Sequence, residues 1–321
     1  MNRVIVVGSF NVDHVWRCAE LPVVGATIAG QYATGPGGKG FNQAVAAARA
    51  GARTTFACAL GDDPGGTLAR TLAAAEGIAL HAEPSEQPTG TAGIYVDARG
   101  RNTIVVGAGA NGTLGSDWIA THPALLEGAR VLLAQLESPV AAIESALALA
   151  RAAGVATVLN PAPANAASSI GLLGLADVLT PNETEFAALL SRHVGERVDP
   201  EAVAELDGGS LHVLCRKLLP HGTVVVTLGS IGVFVSHADE QLRGDAQSYY
   251  RFGAENVSAI DTTGAGDAFN GALVASLAGR PDEAFATHVR FANRYAALST
   301  ERTGAALSMP PLADVQARFP A

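Results

Sequence analysis

Cysteine is scarce: Cys18, Cys58 and Cys215 stand far apart without paired spacing, which excludes a disulfide framework and a cysteine-based zinc site. Basic charge is scarce as well. With 21 Lys and Arg against 30 Asp and Glu, the net charge of −9 argues against the broad positive face that nucleic acid favours, so any anionic ligand must be captured locally. No apolar run is long enough to span a bilayer. The opening MNRVIVVGSF has one positive residue and a short apolar run ending at a glycine, unlike a signal peptide. A cytoplasmic location with no nucleic-acid and no membrane partner is the expectation. Two nucleotide motifs are also missing. GGKG lacks the Ser or Thr that follows the lysine of a P-loop, and VVGSFNVD lacks the G-x-G-x-x-G of a dinucleotide-binding turn. The 8 histidines form no metal-ligand cluster.

What is present is core material and glycine. Apolar residues make up 48% of the chain and glycines number 36, which suits a large packed core with many tight turns and close backbone approaches. Apolar β-branched runs (RVIVVG, TTFACAL, ARVLLAQL, VATVLN, DVLT, TVVVTLG) alternate with Ala/Leu-rich stretches of helical spacing. The stretches FNQAVAAARAGA, GGTLARTLAAAEG, AAIESALALARAAG and GDAFNGALVASLAG carry helix formers and trailing glycines. That alternation predicts an α/β fold, a doubly wound and mostly parallel sheet with helices on both faces. Two stretches break the rhythm: Val15 to Thr34, and TAGIYVDARGRNTIVVGAG, which reads as a hairpin. Both look antiparallel and are expected to pair as a small β-sheet lid over one edge. The whole of 1–321 is expected to form one domain, with a lid from about 14–36 and 90–108. The polar stretch His193 to Gly209 reads as surface, and SMPPLADVQARF as a turn and closing helix.

The strongest chemical signal is AIDTTGAGDAFNGAL, residues 259–273, a glycine-rich turn leading into an apolar helix with an acid at its start. Gly264 and Gly266 allow close approach of a ligand, and the helix start carries about +0.5 of an elementary charge, an environment suited to phosphate oxygens. A carboxylate beside a phosphate repels it unless the carboxylate is there to take a proton. Asp267 is therefore a candidate general base for an attacking hydroxyl, with the N–H groups of Gly264, Ala265 and Gly266 stabilising the transferring phosphoryl. An acidic helix cap is the alternative use of this aspartate. GPGGKGFNQ is a second glycine loop at a helix start, offering backbone donors, the ammonium of Lys39 and the amide of Asn42 to a polyol.

DTTGAGDAFNG resembles the C-terminal signature of the ribokinase, or phosphofructokinase-B, family of carbohydrate kinases. The resemblance runs over nearly the whole chain, through GSFNVDH, GPGGKGFNQAVAAARAG, GAGAN, QLESP, LNPAPA, TPNETE and VTLGSIGV in order. It implies ATP-dependent phosphorylation of a sugar, ribose first, with fructose or a nucleoside as alternatives. A non-catalytic sugar- or nucleotide-binding protein is the alternative of a different class, which loss of the base would favour. It further implies that Asn11, Asp13, Gly38, Lys39, Asn42 and Glu137 grip sugar hydroxyls together with Asp267. Asn182, Thr227, Gly229, Gly232, Gly266 and Asn293 would border ATP, and Glu185 would hold Mg²⁺ through water. A K⁺ ion would be bound by Asp261, Thr263, Ser299, Arg302, Gly304 and Ser308, mostly through carbonyls, and two chains would dimerise through their lids. For Asn11 and Asp13 a turn, for Asn182 an N-cap, and for Lys39 and Asn293 a solvated helical site remain open readings. Phe41 stands where the family carries a small residue, and Phe10 replaces an aliphatic one; each either packs in the core or shapes the sugar pocket.

Overall fold

The computed structural model describes residues 2–320. Its strands are β1 (Arg3–Val7), β2 (Asn11–Arg17), β3 (Gln31–Gly37), β4 (Arg53–Gly61), β5 (Ala79–Ser85), β6 (Gly90–Val96), β7 (Asn102–Gly107), β8 (Ala129–Ala134), β9 (Ala156–Leu159), β10 (Val178–Leu179), β11 (Thr223–Thr227), β12 (Val233–Ser236) and β13 (Tyr249–Phe252). The helices are α1 (Lys39–Arg49), α2 (Pro64–Ala75), α3 (Ser116–Thr121), α4 (Val140–Ala152), α5 (Ile170–Gly174), α6 (Glu183–Leu189), α7 (Gly208–Leu218), α8 (Ala265–Gly279), α9 (Phe285–Ser299) and α10 (Leu312–Arg318).

Nine strands form the large sheet in the order β13-β12-β11-β10-β9-β8-β1-β4-β5, parallel from β11 through β5, with β12 and β13 antiparallel at one edge. Strand alternation divides its side chains between two apolar layers. Val4 and Val6 of β1 pack with α1, α2, α8, α9 and α10, whereas Ile5 and Val7 pack with α3 to α7. The expected parallel core is thus present. The edges β5, β12 and β13 were absent from the expectation; β5, ALHAEPS, is half-exposed, carries a proline and lies at the sheet margin, where a missing N–H is tolerated.

The chain builds outward from β1 to β4 and β5, then crosses to the other side at β8. This reversal between β1 and β8 opens a crevice at the carboxyl ends of the strands, the place where ligands bind in such sheets. The segment Gly8–Ser9–Phe10 leaves β1 into that crevice, and Gln135 to Glu137 leave β8 into it.

A separate sheet has the order β3-β2-β6-β7. Its two hairpins are antiparallel as expected, but they join through a parallel pairing of β2 with β6, Asn11 opposite Gly90 through Arg17 opposite Val96. β2 also starts at Asn11, ahead of the expected boundary, so Asn11 and Asp13 sit on a strand and not in a turn. Trp16 stands opposite both Tyr32 and Tyr95, with ring centroids 5.3 Å and 5.2 Å away, forming an aromatic row across three strands. Every residue of β7 is exposed, and Tyr32, Ile104, Val105 and Val106 are 55%, 50%, 65% and 55% accessible. Among the described residues no helix is long and apolar enough to cross a membrane.

Candidate active site

The glycine turn before α8 does what its composition predicts. Gly264 has φ 78°, and a Cβ there would meet Ala305 Cα at 3.0 Å. Gly266 differs, because a Cβ at this position would meet nothing within 4 Å; its bare face looks into open space. The N–H of Ala265 is bonded to the Thr262 carbonyl at 3.2 Å, which closes the turn. Among the described residues Gly264, Gly266 and Asp267 carry no such backbone bond, so the free donors at this helix start are those three. Ala265 therefore serves the turn's shape, a change from its expected part as an anion donor.

Asp267 is buried at the head of α8. Its Oδ2 accepts from Asn42 Nδ2 at 2.9 Å and its Oδ1 from Gln43 Nε2 at 2.8 Å. Helix packing brings these groups together. Gly271, one turn beyond Asp267, lies so close to α1 that a Cβ would stand 2.8 Å from Ala47 N, itself one turn beyond Gln43. Burial raises the Asp267 carboxyl above the usual carboxylate range, against the opposing pull of the Lys39 ammonium and of the two amide donors. The reading of Asp267 as a helix cap fails here: the N-cap is Gly264, and the Asp267 carboxylate faces α1 and the cleft.

The opposite wall comes from β2, the loop after β1 and the head of α1. The Asn111 amide holds the Phe10 N–H at 3.0 Å and the Phe10 carbonyl at 2.9 Å, and also donates to Asn11 Oδ1 at 2.8 Å. Glu137 Oε2 accepts from Ser9 Oγ at 2.6 Å and from the Lys39 N–H at 2.9 Å. Gly38, φ 87°, lies against the backbone of residues 9–11, where a Cβ would stand 2.8 Å from Asn11 N. A side chain on Gly37 would run into the Asp13 carboxyl. Burial and the nearby Glu137 carboxylate push Asp13 up to about 7. Burial works against the charge of Lys39, but Asp267, Glu137 and Glu185 outweigh it and hold the ammonium above its ordinary value. Phe41 is core: it meets Phe10 edge-on at 5.1 Å and lies 6.0 Å from Phe56, and both Phe10 and Phe41 are fully buried.

A cleft of about 180 Å³ runs from Lys39 and Asp267 to Asn182, Glu185 and Thr227. Asn182 and Glu185 form a reciprocal capping box on α6, Glu185 N–H to Asn182 Oδ1 at 2.8 Å and Asn182 N–H to Glu185 Oε2 at 2.9 Å. The N-cap reading of Asn182 is therefore correct, and both side chains still line the cleft. Thr227 is bridged to Asn182 from the end of β11. Gly232, φ 117°, does not open room for a nucleotide: its missing Cβ makes way for the backbone of residues 252–254, with Gly253 C only 2.7 Å from that position. Asn293 is buried, not solvated, and donates to the Gly253 carbonyl at 2.8 Å. Gly229, with φ 51°, closes the loop after β11, outside the cleft lining.

Asp261 joins two loops, accepting from Thr263 N–H at 2.9 Å and Gly304 N–H at 3.0 Å. Burial disfavours its charge, but these donors and Arg17 hold the carboxyl below the usual range. The hydroxyls of Ser299 and Ser308 bond to Ala296 and Ala305 carbonyls at 2.7 Å each, and Arg302 reaches Asp314 at 2.5 Å. The Arg302 side chain thus turns away from the Asp261 loop. Among the described residues no group of three or more His, Cys, Asp or Glu could hold a metal alone.

Several groups of the site were not foreseen: Ser9, Gln43, Asn111, Asn160, Thr180 and Asn270. Asn160 and Thr180 follow parallel strands at their carboxyl ends, a position that marks ligand sites, and Asn270 lies one turn after Gly266. Gln43 adjoins Asn42 on a helix turn whose residues are all buried; only the fold makes that visible.

A family model described as pfkB family carbohydrate kinase matches residues 1–312. The chain is 38% identical over 310 residues to a ribokinase from Haemophilus influenzae, covering 95% of this chain and 94% of that one. The solved structure of ribokinase from Giardia lamblia superposes with a TM-score of 0.85 at 28% identity, covering 98% of each chain. That of Arabidopsis thaliana ribokinase, complexed with ribose and ATP, does so with a TM-score of 0.80 at 28% identity, covering 98% of this chain and 97% of the other.

Proposed function

The chain belongs to the pfkB family of carbohydrate kinases, and we propose that it transfers the γ-phosphoryl group of ATP to D-ribose, giving D-ribose 5-phosphate and ADP. The observation that carries this reading is the placement of the Asp267 carboxylate, held by two amides beside the free N–H groups of a helix start and the bare face of Gly266. Relatives named ribokinase over nearly the full length support ribose as the acceptor.

In this mechanism the sugar lies between β2 and the head of α1. Asn11 offers the amide hydrogens left free by Asn111, and Asp13 accepts hydrogen bonds from hydroxyls. Asn42 borders the sugar too, its Oδ1 buried and without a partner among the described residues. Gly38, Lys39 and Glu137 complete the grip. The attacking hydroxyl gives its proton to Asp267 as its oxygen bonds to phosphorus and the bond to the ADP oxygen breaks. Negative charge spread over the phosphoryl oxygens meets the N–H groups of Gly264, Gly266 and Asp267 and the dipole of α8. Asn182 and Thr227 border the nucleotide, with Gly229 and Gly232 shaping the loop behind them and Asn293 bracing that wall through Gly253.

Glu185 suits Mg²⁺ held through water: one oxygen is committed to the cap, the other makes no hydrogen bond to described residues, and ATP phosphates would supply the remaining ligands. Bound there, the ion would neutralise phosphate charge. We extend the reading to a K⁺ ion between the loops of Asp261 and Thr263 and of Ser299, Arg302, Gly304 and Ser308. There Arg302 contributes only its backbone. The small sheet serves as lid, and its apolar face meets a second copy of the chain. ATP supply places the activity in the cytoplasm.

The test is ADP release from magnesium-ATP across ribose, deoxyribose, fructose, adenosine, inosine and cytidine, in potassium and in a bulky organic cation. A preference for ribose that needs potassium is the expected result. Preference for another acceptor replaces ribose, equal rates in both cations remove the K⁺ site, and no turnover with any acceptor favours a binding protein. Asp267→Asn should keep sugar affinity and lower kcat roughly 10²-fold or more; near-normal turnover refutes the base.

A further inference from the structure

The amides behind Asp267 form a chain whose direction is forced. Asn160 Nδ2 bonds to the Thr180 carbonyl at 2.9 Å, and a carbonyl can only accept, so the Asn160 oxygen must face the other way. That oxygen lies 3.0 Å from Gln43 Nε2, which must therefore be the donor end of the glutamine. The same Nε2 donates to Asp267 Oδ1 at 2.8 Å, and the Gln43 oxygen, turned away, accepts from Gln135 Nε2. On the far side Thr180 Oγ1 donates to Asn270 Oδ1 at 2.5 Å, and Asn270 Nδ2 donates to the Gly266 carbonyl at 2.8 Å.

The path thus starts at the Asp267 carboxylate and returns to the peptide that precedes Asp267, closing a ring through α1, the residues that follow β9 and β10, and α8. Gln43 and Gln135 are both fully buried and Asn270 almost so. Gln135 Oε1 has no partner among the described residues, but reversing Gln43, Asn160 or Asn270 would strand a further buried donor or acceptor, and each such loss costs about 1–3 kcal/mol.

Resting on the reading of Asp267 as the base, we propose that Gln43 is the positioning residue of this reaction: it holds Asp267 Oδ1 so that the carboxylate stays ionised and its remaining lone pairs face the cleft. Asn42, the other donor to Asp267, borders the sugar; Gln43 reaches only through Asp267. The charged groups that face the carboxylate are Lys39 at the head of α1, Glu137 after β8 and Glu185 on α6, and none of them changes when Gln43 is replaced.

The experiment is the pH profile of kcat at saturating ribose and ATP for the full chain carrying Gln43→Met, which keeps the volume and removes the donor. Loss of a hydrogen bond to the charged form raises the acid's pKa, so the acidic limb should move to higher pH by about one unit, the equivalent of one charged hydrogen bond. The kcat plateau should fall about 10-fold or more, with the KM values for ribose and ATP within about 2-fold of the parent. A folded Gln43→Met protein whose acidic limb has not moved overturns the proposal, even if turnover drops, since packing damage alone would lower the plateau and leave the limb in place. If Gln43→Met does not fold, Gln43→Leu, which also removes the donor with little change in volume, is measured in its place: an upward shift of the limb supports the proposal and an unmoved limb overturns it. Asp267→Asn is measured alongside. Normal turnover there sinks the base reading itself, whereas an inactive Asp267→Asn with an unmoved limb in Gln43→Met sinks only the role of Gln43.

Discussion

Gly266→Ala separates stability from turnover at one position. Gly266 is the second residue of α8, its φ is not positive, and a Cβ there meets nothing within 4 Å. Nothing in the protein opposes the methyl group, and alanine is favoured over glycine within a helix by about 0.8–1.0 kcal/mol, partly through the entropy of the unfolded chain. The first turn realises only part of that gain, so melting should rise by about 1–3 °C in a chain of this size. In the proposed mechanism, however, the open space is where the phosphoryl group approaches the free N–H groups of α8. A methyl group there displaces the phosphorus by about 1 Å, and a misplacement of that size costs roughly 10²-fold in rate. Thermal unfolding and steady-state ADP release on the same preparation give both numbers. Wild-type kcat would show that the bare face of Gly266 does not meet the phosphoryl group, and a lowered melting temperature would show that the space is not free.

Gly271→Ala should act in the opposite way. Its Cβ would press on the α1 backbone 2.8 Å from Ala47 N, an overpacking that costs about 1–3 kcal/mol in urea unfolding and pushes Gln43 from Asp267, lowering kcat as well; an unchanged urea midpoint refutes it. Asp13→Asn tests the raised carboxyl. In the unfolded chain Asp13 ionises near 3.8 and in the folded chain at about 7, so folding takes up a proton between these values and wild-type stability falls as pH rises through that window. The Asn variant should lack this slope, be the more stable protein above pH 7 and bind ribose more weakly; parallel stability profiles for the two proteins would refute the burial of that charge. Val105→Asp on the exposed sheet should convert a dimer to a monomer in light scattering with secondary structure intact, and a monomeric parent protein would remove the lid interface.

The parallel strands were readable because residues buried on both faces form unbroken apolar runs, as in TVVVT of β11. The α8 motif was readable because glycines and an acid at a helix start carry their chemistry locally. Elsewhere the sequence is silent for physical reasons. The parallel pairing of β2 with β6 joins residues some eighty apart in the chain, and nothing in either segment records the partner's direction. Gly232 looks like any glycine beside a nucleotide until the backbone of residues 252–254 is seen against it. Gln43 and Asn293 illustrate the commonest blind spot: a polar helical residue reads as solvated, and only the neighbouring element turns it into a buried donor with a fixed acceptor. Phe41 was ambiguous because one turn of α1 faces both the cleft and the core, and its ring goes to Phe10 and Phe56.

Asn11 and Asp13 lie on β2, a strand of the small sheet, whereas Asp267 and the glycine turn belong to α8 on the large one. In the proposed mechanism part of the grip on the acceptor therefore comes from a sheet separate from the transfer chemistry, and the rest from Gly38, Lys39, Asn42 and Glu137. Substitutions along β2, β3 and β6 can alter the shape offered to a polyol without touching the amide ring or the helix start that handles the phosphoryl group. Such an arrangement favours re-specialisation: a change of acceptor can begin with the small sheet, while the costly arrangement around Asp267 is inherited intact. Libraries aimed at new acceptors belong on those strands, with residues 42–43 and 264–271 held constant.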